Sequence, residues 1–439
     1  MFKSTNWQVL REPPHKRKED RPRIVDQKNH SISRDEISPN ACKVLYRLNK
    51  SGYEAYLVGG GVRDMLLGLH PKDFDIATNA LPQQIRKLFR NSRLIGRRFI
   101  LVHVYFPNEI IEVSTFRANN VEEFIREEPL SENKSTCECM LLENNTYGTI
   151  EEDAWRRDFT VNALYYNITD FSVVDFTGGI EDLNKRIIRI IGDPTKRYHE
   201  DPVRLLRAIR LAAKLDFKIH PDTEESLRRL HNLLHHVPST RLFAEVLKIF
   251  FKGHAFRSYH WLSQTNYMQT LFPYTVTVLE KTCRPYYKSL FEFSLKATDQ
   301  RYSKNRTLNP GFSFAILLWP VVQELMQQYF KKYKRLFPSI YYGINMALRQ
   351  QVEILAIPRR LTTMIRSVWL LQYHLERRRR SRIYRIVEQR FFRAAFDFLE
   401  LREQAGEPLT EIVYWWRAFR DGNQKKREQL IDRLNEQAR

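Results

Sequence analysis

A chain of 439 residues with 43% hydrophobic side chains is too long for one small core and calls for two to four folded domains. Its 72 Lys and Arg against 51 Asp and Glu leave a net charge of +21, which suits a polyanionic partner, nucleic acid first. No apolar run approaches the roughly 18 residues of a membrane-spanning helix, no apolar leader opens the chain, and Cys42, Cys137, Cys139 and Cys283 are spaced neither as a disulfide framework nor as a four-ligand zinc site, so reduced thiols in the cytoplasm are expected.

Residues 1–36 mix Pro with Lys and Arg without periodicity and read as a mobile basic arm. Asn40 to Leu48 reads as an amphipathic helix leading into a buried strand, Tyr56-Leu57-Val58. Gly59, Gly60 and Gly61 follow, and then an apolar-periodic segment from Val62 to Leu67. A strand, a glycine turn and a helix start bring backbone N–H groups close to an anion. Arg63, in the first turn, can clamp a phosphate. The glycine spacing matches neither a dinucleotide fingerprint nor a P-loop.

After Pro71 comes a predicted strand, Lys72 to Ile76, which puts Asp73 and Asp75 on one face and Phe74 and Ile76 on the other. Paired carboxylates suit Mg²⁺, which binds through one or two acids plus substrate phosphates. The plainer reading of the pair alone is two solvated acids. Pro82 to Phe89 reads as a helix. Phe99 to Phe106 and Ile110 to Phe116 read as a hairpin, with Glu112 either a third carboxylate or a cross-strand partner for an arginine.

Residues 118–150, with Cys137 and Cys139, read as a flexible insertion. The pattern then turns helical over Glu151 to Tyr166, where Arg156, Arg157 and Asp158 sit together; a salt-bridged helix face is the bland account of such a cluster. Phe171 to Phe176 and Arg186 to Ile191 read as a final strand pair closing the sheet.

The next helix, from Glu200 onward, gathers Leu205, Leu206, Ile209, Ala212 and Ala213 on one side and fans Asp201, Arg204, Arg207 and Arg210 across the other. Asp201 before Pro202 makes a good N-cap. It also makes, with Arg204, a pair that could read a base: a carboxylate accepts from an exocyclic amine while an arginine donates to a ring nitrogen. Adenine and cytosine both offer that edge, so the pair alone does not separate them.

Beyond residue 220 nearly every segment reads as helix. Between Ile357 and Arg393 there are 11 arginines against two acids, including Arg377, Arg378, Arg379 and Arg380, interleaved with Trp369, Tyr373, Tyr384, Phe391 and Phe392. Cations hold phosphates and aromatic faces stack unpaired bases, so the region suits single-stranded RNA; a solvated arginine face over core aromatics is the alternative.

The run GGGVRDMLLG from Gly59 to Gly68, the Asp73–Asp75 pair, the RRDFT segment at Arg156 and the Glu200–Arg204 segment together resemble the polymerase beta-like nucleotidyltransferases. More narrowly they resemble the class II branch, which holds tRNA CCA-adding enzymes and bacterial poly(A) polymerases. The matches recur in order up to about residue 215. The resemblance implies an α+β chain: a mixed-sheet nucleotidyltransferase head over residues 37–192, a helical neck over 193–255, and a helical body with a basic C-terminal region over 256–439. It implies that Gly60, Gly61, Arg63 and Arg157 hold a triphosphate and that Asp73 and Asp75 bind two Mg²⁺. Asp158 would join the catalytic carboxylates, Asp201 and Arg204 would read the base, and Arg207 and Arg210 would touch the nucleotide.

The implied activity is template-independent addition to RNA 3′ ends. Leu94 to Phe99 and Ala356 to Thr363 resemble the poly(A) branch, so transfer of AMP from ATP, in mRNA processing and RNA decay, is expected of a cytoplasmic monomer that engages single-stranded RNA and no membrane. CCA addition is the first alternative. A non-catalytic RNA-binding module is the second, although both paired acids are present.

Overall fold

The computed structural model describes residues 22–96, 100–118, 146–282 and 284–436. The chain divides into two units, Met1–Asp193 and Pro194–Arg439.

The first unit is organised by an eight-stranded sheet whose strands are β1 (Arg23–Val25), β2 (Ala55–Val58), β3 (Asp75–Thr78), β4 (Ser92–Ile95), β5 (Leu101–Phe106), β6 (Glu109–Thr115), β7 (Leu164–Asn167) and β8 (Val173–Asp175). Their order is β1-β8-β7-β2-β3-β6-β5-β4. The β3–β6 pair is parallel and the other pairs are antiparallel, so the sheet is mixed. Helix α1 (Pro39–Lys50) starts where Ser38 Oγ accepts the Asn40 N–H and Pro39 occupies the first turn. It buries Ala41, Val44, Leu45 and Leu48.

Further along lie α2 (Gly60–Leu66), α3 (Pro82–Leu88), α4 (Ile150–Arg156) and α5 (Gly179–Lys185). Helix α4 opens with a capping box in which Thr149 and Glu152 satisfy each other's backbone N–H. The core beneath the site joins Val58, Ala77, Phe116, Ala154 and Tyr165. At the end of β8 the buried Asp175 carboxylate accepts the N–H groups of Thr177, Gly178, Gly179 and Ile180, which fixes the turn into α5.

Four expectations change. Strand β3 starts at Asp75, so Asp73 lies in the approach to it; the alternation of exposed acids with buried Phe74 and Ile76 holds all the same. The helix read over Glu151 to Tyr166 ends at Arg156, where Arg157 turns extended with ψ 170, and β7 follows. Leu164, Tyr165 and Tyr166 are at most 1% exposed, because β7 lies inside the sheet and both its faces are covered. Part of the segment read as a mobile arm forms β1, which pairs with β8 from Arg23 to Val25. Arg186 to Ile191 stays outside the eight-stranded sheet, with Ile190 forming an isolated bridge to Phe159. Residues 1–21, the greater part of the 118–150 segment with both its cysteines, Cys283 and Arg97 to Phe99 lie outside the described residues.

The second unit is helical. Its helices include α6 (Pro194–Glu200), α7 (Val203–Leu215), α8 (Ser239–Phe250), α9 (Pro310–Leu317), α10 (Trp319–Tyr333), α11 (Leu336–Ile354), α12 (Arg359–Arg377), α13 (Phe392–Gln404) and α14 (Thr410–Asp421). The predicted apolar face of α7 is buried throughout. Helices α10 and α11 form a hairpin that depends on Gly343, where a Cβ would lie 2.8 Å from the Val322 carbonyl. Buried Trp369 donates to the Ala315 carbonyl and Trp416 to the Leu375 carbonyl, both at 2.8 Å, tying α12 to α9 and α14. No helix among the described residues is long and apolar enough to cross a membrane.

Candidate active site

Strand register builds the site of the first unit. Val58 pairs with Tyr165 on one side and Asp75 on the other. Asp75 in turn pairs with Glu112, and Glu112 with His103. The row therefore ends in two neighbouring carboxylates and an imidazole, and His103 Nε2 lies 3.4 Å from Glu112 Oε2.

The strands hold the two acids on neighbouring positions of one face. The pKa of Asp75 is raised to about 6: desolvation is the largest cause, Glu112 and Asp73 add to it, and Arg157 opposes it. Asp75 keeps contact with solvent although protein crowds it.

The glycine turn closes over this row. Gly59 caps α2 with φ +79, a conformation that glycine adopts at no steric cost. A Cβ there would come within 3.8 Å of Asp75 Oδ2 and 3.9 Å of Arg157 Nη1. The turn, the acid and the guanidinium thus converge. A Cβ on Gly61 would lie 3.3 Å from the Asp73 carbonyl, so the start of α2 packs on the backbone of the first acid.

Arg157 is held by two groups that sequence reading passed over. Its Nε donates to Tyr165 Oη at 2.8 Å, its Nη2 to Asp153 Oδ2 at 2.9 Å, and Tyr165 Oη donates to the same carboxylate oxygen at 2.8 Å. The guanidinium also lies over the Tyr165 ring, 5.2 Å from its centre. Burial lowers the pKa of Arg157, but Tyr165 and Asp153 outweigh it and hold the group protonated. Burial alone would raise the Asp153 pKa; Arg157 and Arg156 bring it below the ordinary carboxylate value. The i,i+4 spacing of Asp153 and Arg157 was the available signal.

Arg63 is buried on Asp64 and Asn162, with Nε donating to Asp64 at 2.8 Å and Nη1 to Asn162 at 2.5 Å. This differs from the direct phosphate clamp read from sequence, because a guanidinium so deep needs fixed acceptors. Asp158 Oδ1 accepts the Phe159 N–H at 2.9 Å and Asn162 Nδ2 at 3.4 Å, so Asn162 links Asp158 to Arg63.

In the second unit the Asp201 carboxylate accepts the Val203 N–H at 3.3 Å and Arg241 Nη2 at 3.1 and 3.2 Å. Arg204 donates to the Arg197 carbonyl and the Glu200 carboxylate, both at 2.8 Å. Arg210 faces Glu245 at 3.5 Å, and Arg207 is half-buried on α7.

The arginine run divides. Arg377 lies 4.8 Å over the Tyr373 ring and Arg379 6.0 Å over the Phe337 ring. Arg378 pairs with Glu411 at 3.0 Å, and Arg380 begins a short 3-10 turn. Trp369 and Phe392 are core residues.

Among the described residues no group of three or more His, Cys, Asp or Glu is gathered into a metal cage. A Mg²⁺ site needs none, since that ion keeps its waters and binds through one or two carboxylates and substrate phosphates. The mutual crowding of Asp75, Glu112 and Asp73 is the donor chemistry that such a cation relieves.

Three family descriptions match the chain: "Poly A polymerase head domain" over residues 55–189, "Probable RNA and SrmB- binding site of polymerase A" over 216–279, and "Polymerase A arginine-rich C-terminus" over 334–439. Poly(A) polymerase I of Salmonella typhi is 45% identical over 94% of this chain and 89% of its own length. A CCA-adding enzyme of Lactobacillus gasseri is 37% identical over 49% of this chain and 50% of its own. The crystal structure of the Bacillus stearothermophilus CCA-adding enzyme in complex with CTP shares the fold, with a TM-score of 0.59 and 24% identity, covering 87% of this chain and 82% of that one.

Replacing Asp153 by Ala leaves a buried guanidinium and phenol without their shared acceptor, and should cost about 3–5 kcal/mol of stability. Tyr165→Phe, which removes one hydroxyl, should cost about 1 kcal/mol. Chemical denaturation of both variants checks the ranking; equal midpoints would contradict the role given to Asp153.

Proposed function

The chain belongs to the poly(A) polymerase family, and from that membership we propose how its residues carry out polyadenylation. It is a poly(A) polymerase, a nucleotidyltransferase that extends RNA 3′ ends with adenylate. One observation carries the choice over CCA addition: 45% identity runs through 94% of the chain and includes the arginine-rich C-terminal region, whereas the CCA-adding relative matches 49%.

In the reaction the RNA 3′-hydroxyl gives up its proton to solvent as its oxygen bonds to the α-phosphorus of ATP, the bond to the bridging oxygen breaks, and pyrophosphate leaves. Asp73 and Asp75 would hold two Mg²⁺, with Glu112 as the third carboxylate, favoured over Asp158 by its register beside Asp75. When bound, such ions neutralise the phosphates and orient the attacking and leaving oxygens.

The remaining work falls to the chain's own groups. Gly60 and Gly61 leave the turn bare of side chains, so backbone can approach the triphosphate. Arg157, aimed at that turn and held by Asp153 and Tyr165, meets its negative charge. Arg63 acts as a positioning residue that fastens α2 to Asn162. These roles supply orientation and preorganised charge rather than covalent chemistry.

Asp201 and Arg204 read the amine-plus-acceptor edge of adenine, which requires Asp201 to exchange Arg241 for the base; Arg207 and Arg210 flank the nucleotide. Arg377 and Arg379 bind single-stranded RNA together with Arg380, while Arg378 serves structure through Glu411. The protein acts as a cytoplasmic monomer in mRNA processing and RNA decay.

Asp73→Ala and Asp75→Ala should each abolish addition of adenylate to an oligo(A) primer while the protein stays folded. Near wild-type extension by a folded double variant would remove the two-metal assignment.

Asp201→Ala should lower discrimination for ATP against GTP and UTP roughly tenfold or more, because one good hydrogen-bonded pair is worth about 1–3 kcal/mol. If the carboxylate serves only the backbone and Arg241, the same change lowers the melting temperature and leaves the nucleotide ratios alone. Four single-nucleotide rates and a melting curve on one variant decide between the two.

A further inference from the structure

The turn of the α10–α11 hairpin gathers exposed aromatic and basic side chains that the active site does not use. Phe330, Tyr333, Phe337, Tyr341 and Tyr342 are each between 38% and 51% exposed, although large aromatic side chains are ordinarily drawn inside. Three rings form a ladder: Tyr329 lies 4.5 Å from Tyr333 and 4.6 Å from Tyr342, with interplanar angles of 40° and 33°.

Lys331, Lys332, Lys334 and Arg335 are interleaved with these rings and exposed, and Lys332 Nζ lies 5.1 Å over Tyr333. No Asp or Glu occurs from residue 325 to 352. Lys334 itself adopts φ +53 at the end of α10, a left-handed position that glycine fills most easily. A cation stands there against the local preference of the backbone.

The ladder borders a cluster of exposed arginines. Phe337 meets Tyr373 edge-on at 5.4 Å, and both lie beside His374 and the exposed Arg377, Arg379 and Arg382. Among the described residues none of these three arginines is paired with a carboxylate, and the Tyr373 hydroxyl, which is buried, has no hydrogen-bond partner. Burial lowers the pKa of His374, and Arg382 and Arg379 lower it further, as guanidinium groups facing the imidazole would.

Five exposed aromatic rings gathered at one turn mark a binding face. Its chemistry selects the occupant. Protein interfaces are depleted of lysine at their centres, whereas single-stranded nucleic acid combines flat bases that stack on rings with phosphates that seek cations.

We propose that the turn of the α10–α11 hairpin and the adjoining exposed arginines form a stacking platform for unpaired bases of the RNA strand, with the lysines and arginines around the rings holding its phosphates. The inference rests on the reading of the chain as a polymerase acting on RNA, and extends the RNA-binding surface at Arg377 and Arg379 onto the aromatic turn beside it. It predicts a preference for unpaired over duplex RNA, since an A-form helix offers no free base faces.

The test uses the full chain and fluorescence anisotropy without ATP, with a labelled 15-residue oligo(A) and a blunt RNA duplex as probes. Tyr333→Ala with Phe337→Ala should weaken oligo(A) binding about tenfold or more and leave duplex binding within about twofold. Tyr333→Trp with Phe337→Trp should keep the affinity for oligo(A).

Lys331→Gln with Lys332→Gln and Arg335→Gln should flatten the salt dependence of oligo(A) binding by about 0.7 in slope for each phosphate that is no longer neutralised. If the alanine variant binds oligo(A) as the wild type does, the platform does not stack bases and the inference is overturned, leaving the face to a protein partner. Failure of the wild type to extend oligo(A) would count instead against the polymerase reading, which separates the two failures.

Discussion

Two carboxylates are held side by side because two strands are held in register. Asp75 on β3 and Glu112 on β6 are parallel partners, and their side chains leave the sheet on the same face. Water cannot fully solvate the pair, which is why the Asp75 pKa stands near 6. The fold therefore stores an electrostatic need at one edge of a well-packed core, and the glycine turn and Arg157 are arranged around it. A polyphosphate carrying cations relieves the crowding of the acids; a neutral ligand would not.

The positive charge of the chain is less uniform in purpose than its total suggests. Arg63, Arg157, Arg378 and Arg402 are committed to internal acceptors. Arg402 is buried, bonded to Glu376 and Glu407, and 4.7 Å over Trp319, so it cements the arginine-rich region rather than presenting charge. Lys331, Lys332, Lys334 and Arg335 at the α10–α11 turn remain exposed. Net charge announces a polyanionic partner, but partner geometry decides which cations can meet it.

Much of this was legible in the sequence where pattern and physics coincide. The strand at β2 is apolar and ends in glycine; α1 is amphipathic over Asn40 to Leu48; α7 shows its buried face at helical spacing. The acids at positions 73, 75 and 112 were found from alternation along strands. Strand β7 was not legible, because a strand covered on both faces loses its period of two and Leu164-Tyr165-Tyr166 then reads like a buried helix turn. Strand β1 was hidden for another reason: it is held by backbone pairing to β8, and composition carries no trace of that. Asp153 looked like one acid of an ordinary helix start, and only burial beside Arg157 and Tyr165 reveals it as the group that aims the guanidinium.

The central claim is that strand register, by fixing Glu112 against Asp75, creates the carboxylate set on which adenylate transfer depends. The most direct measurement is the single-turnover rate of one adenylate addition to oligo(A) by Glu112→Gln and Asp158→Asn, each folded and at saturating ATP and Mg²⁺. The account predicts a loss on the order of a hundredfold or more for Glu112→Gln, the scale of removing one electrostatic contact to a transition state, and a smaller loss for Asp158→Asn. A Glu112→Gln protein that adds adenylate at the wild-type rate would contradict it.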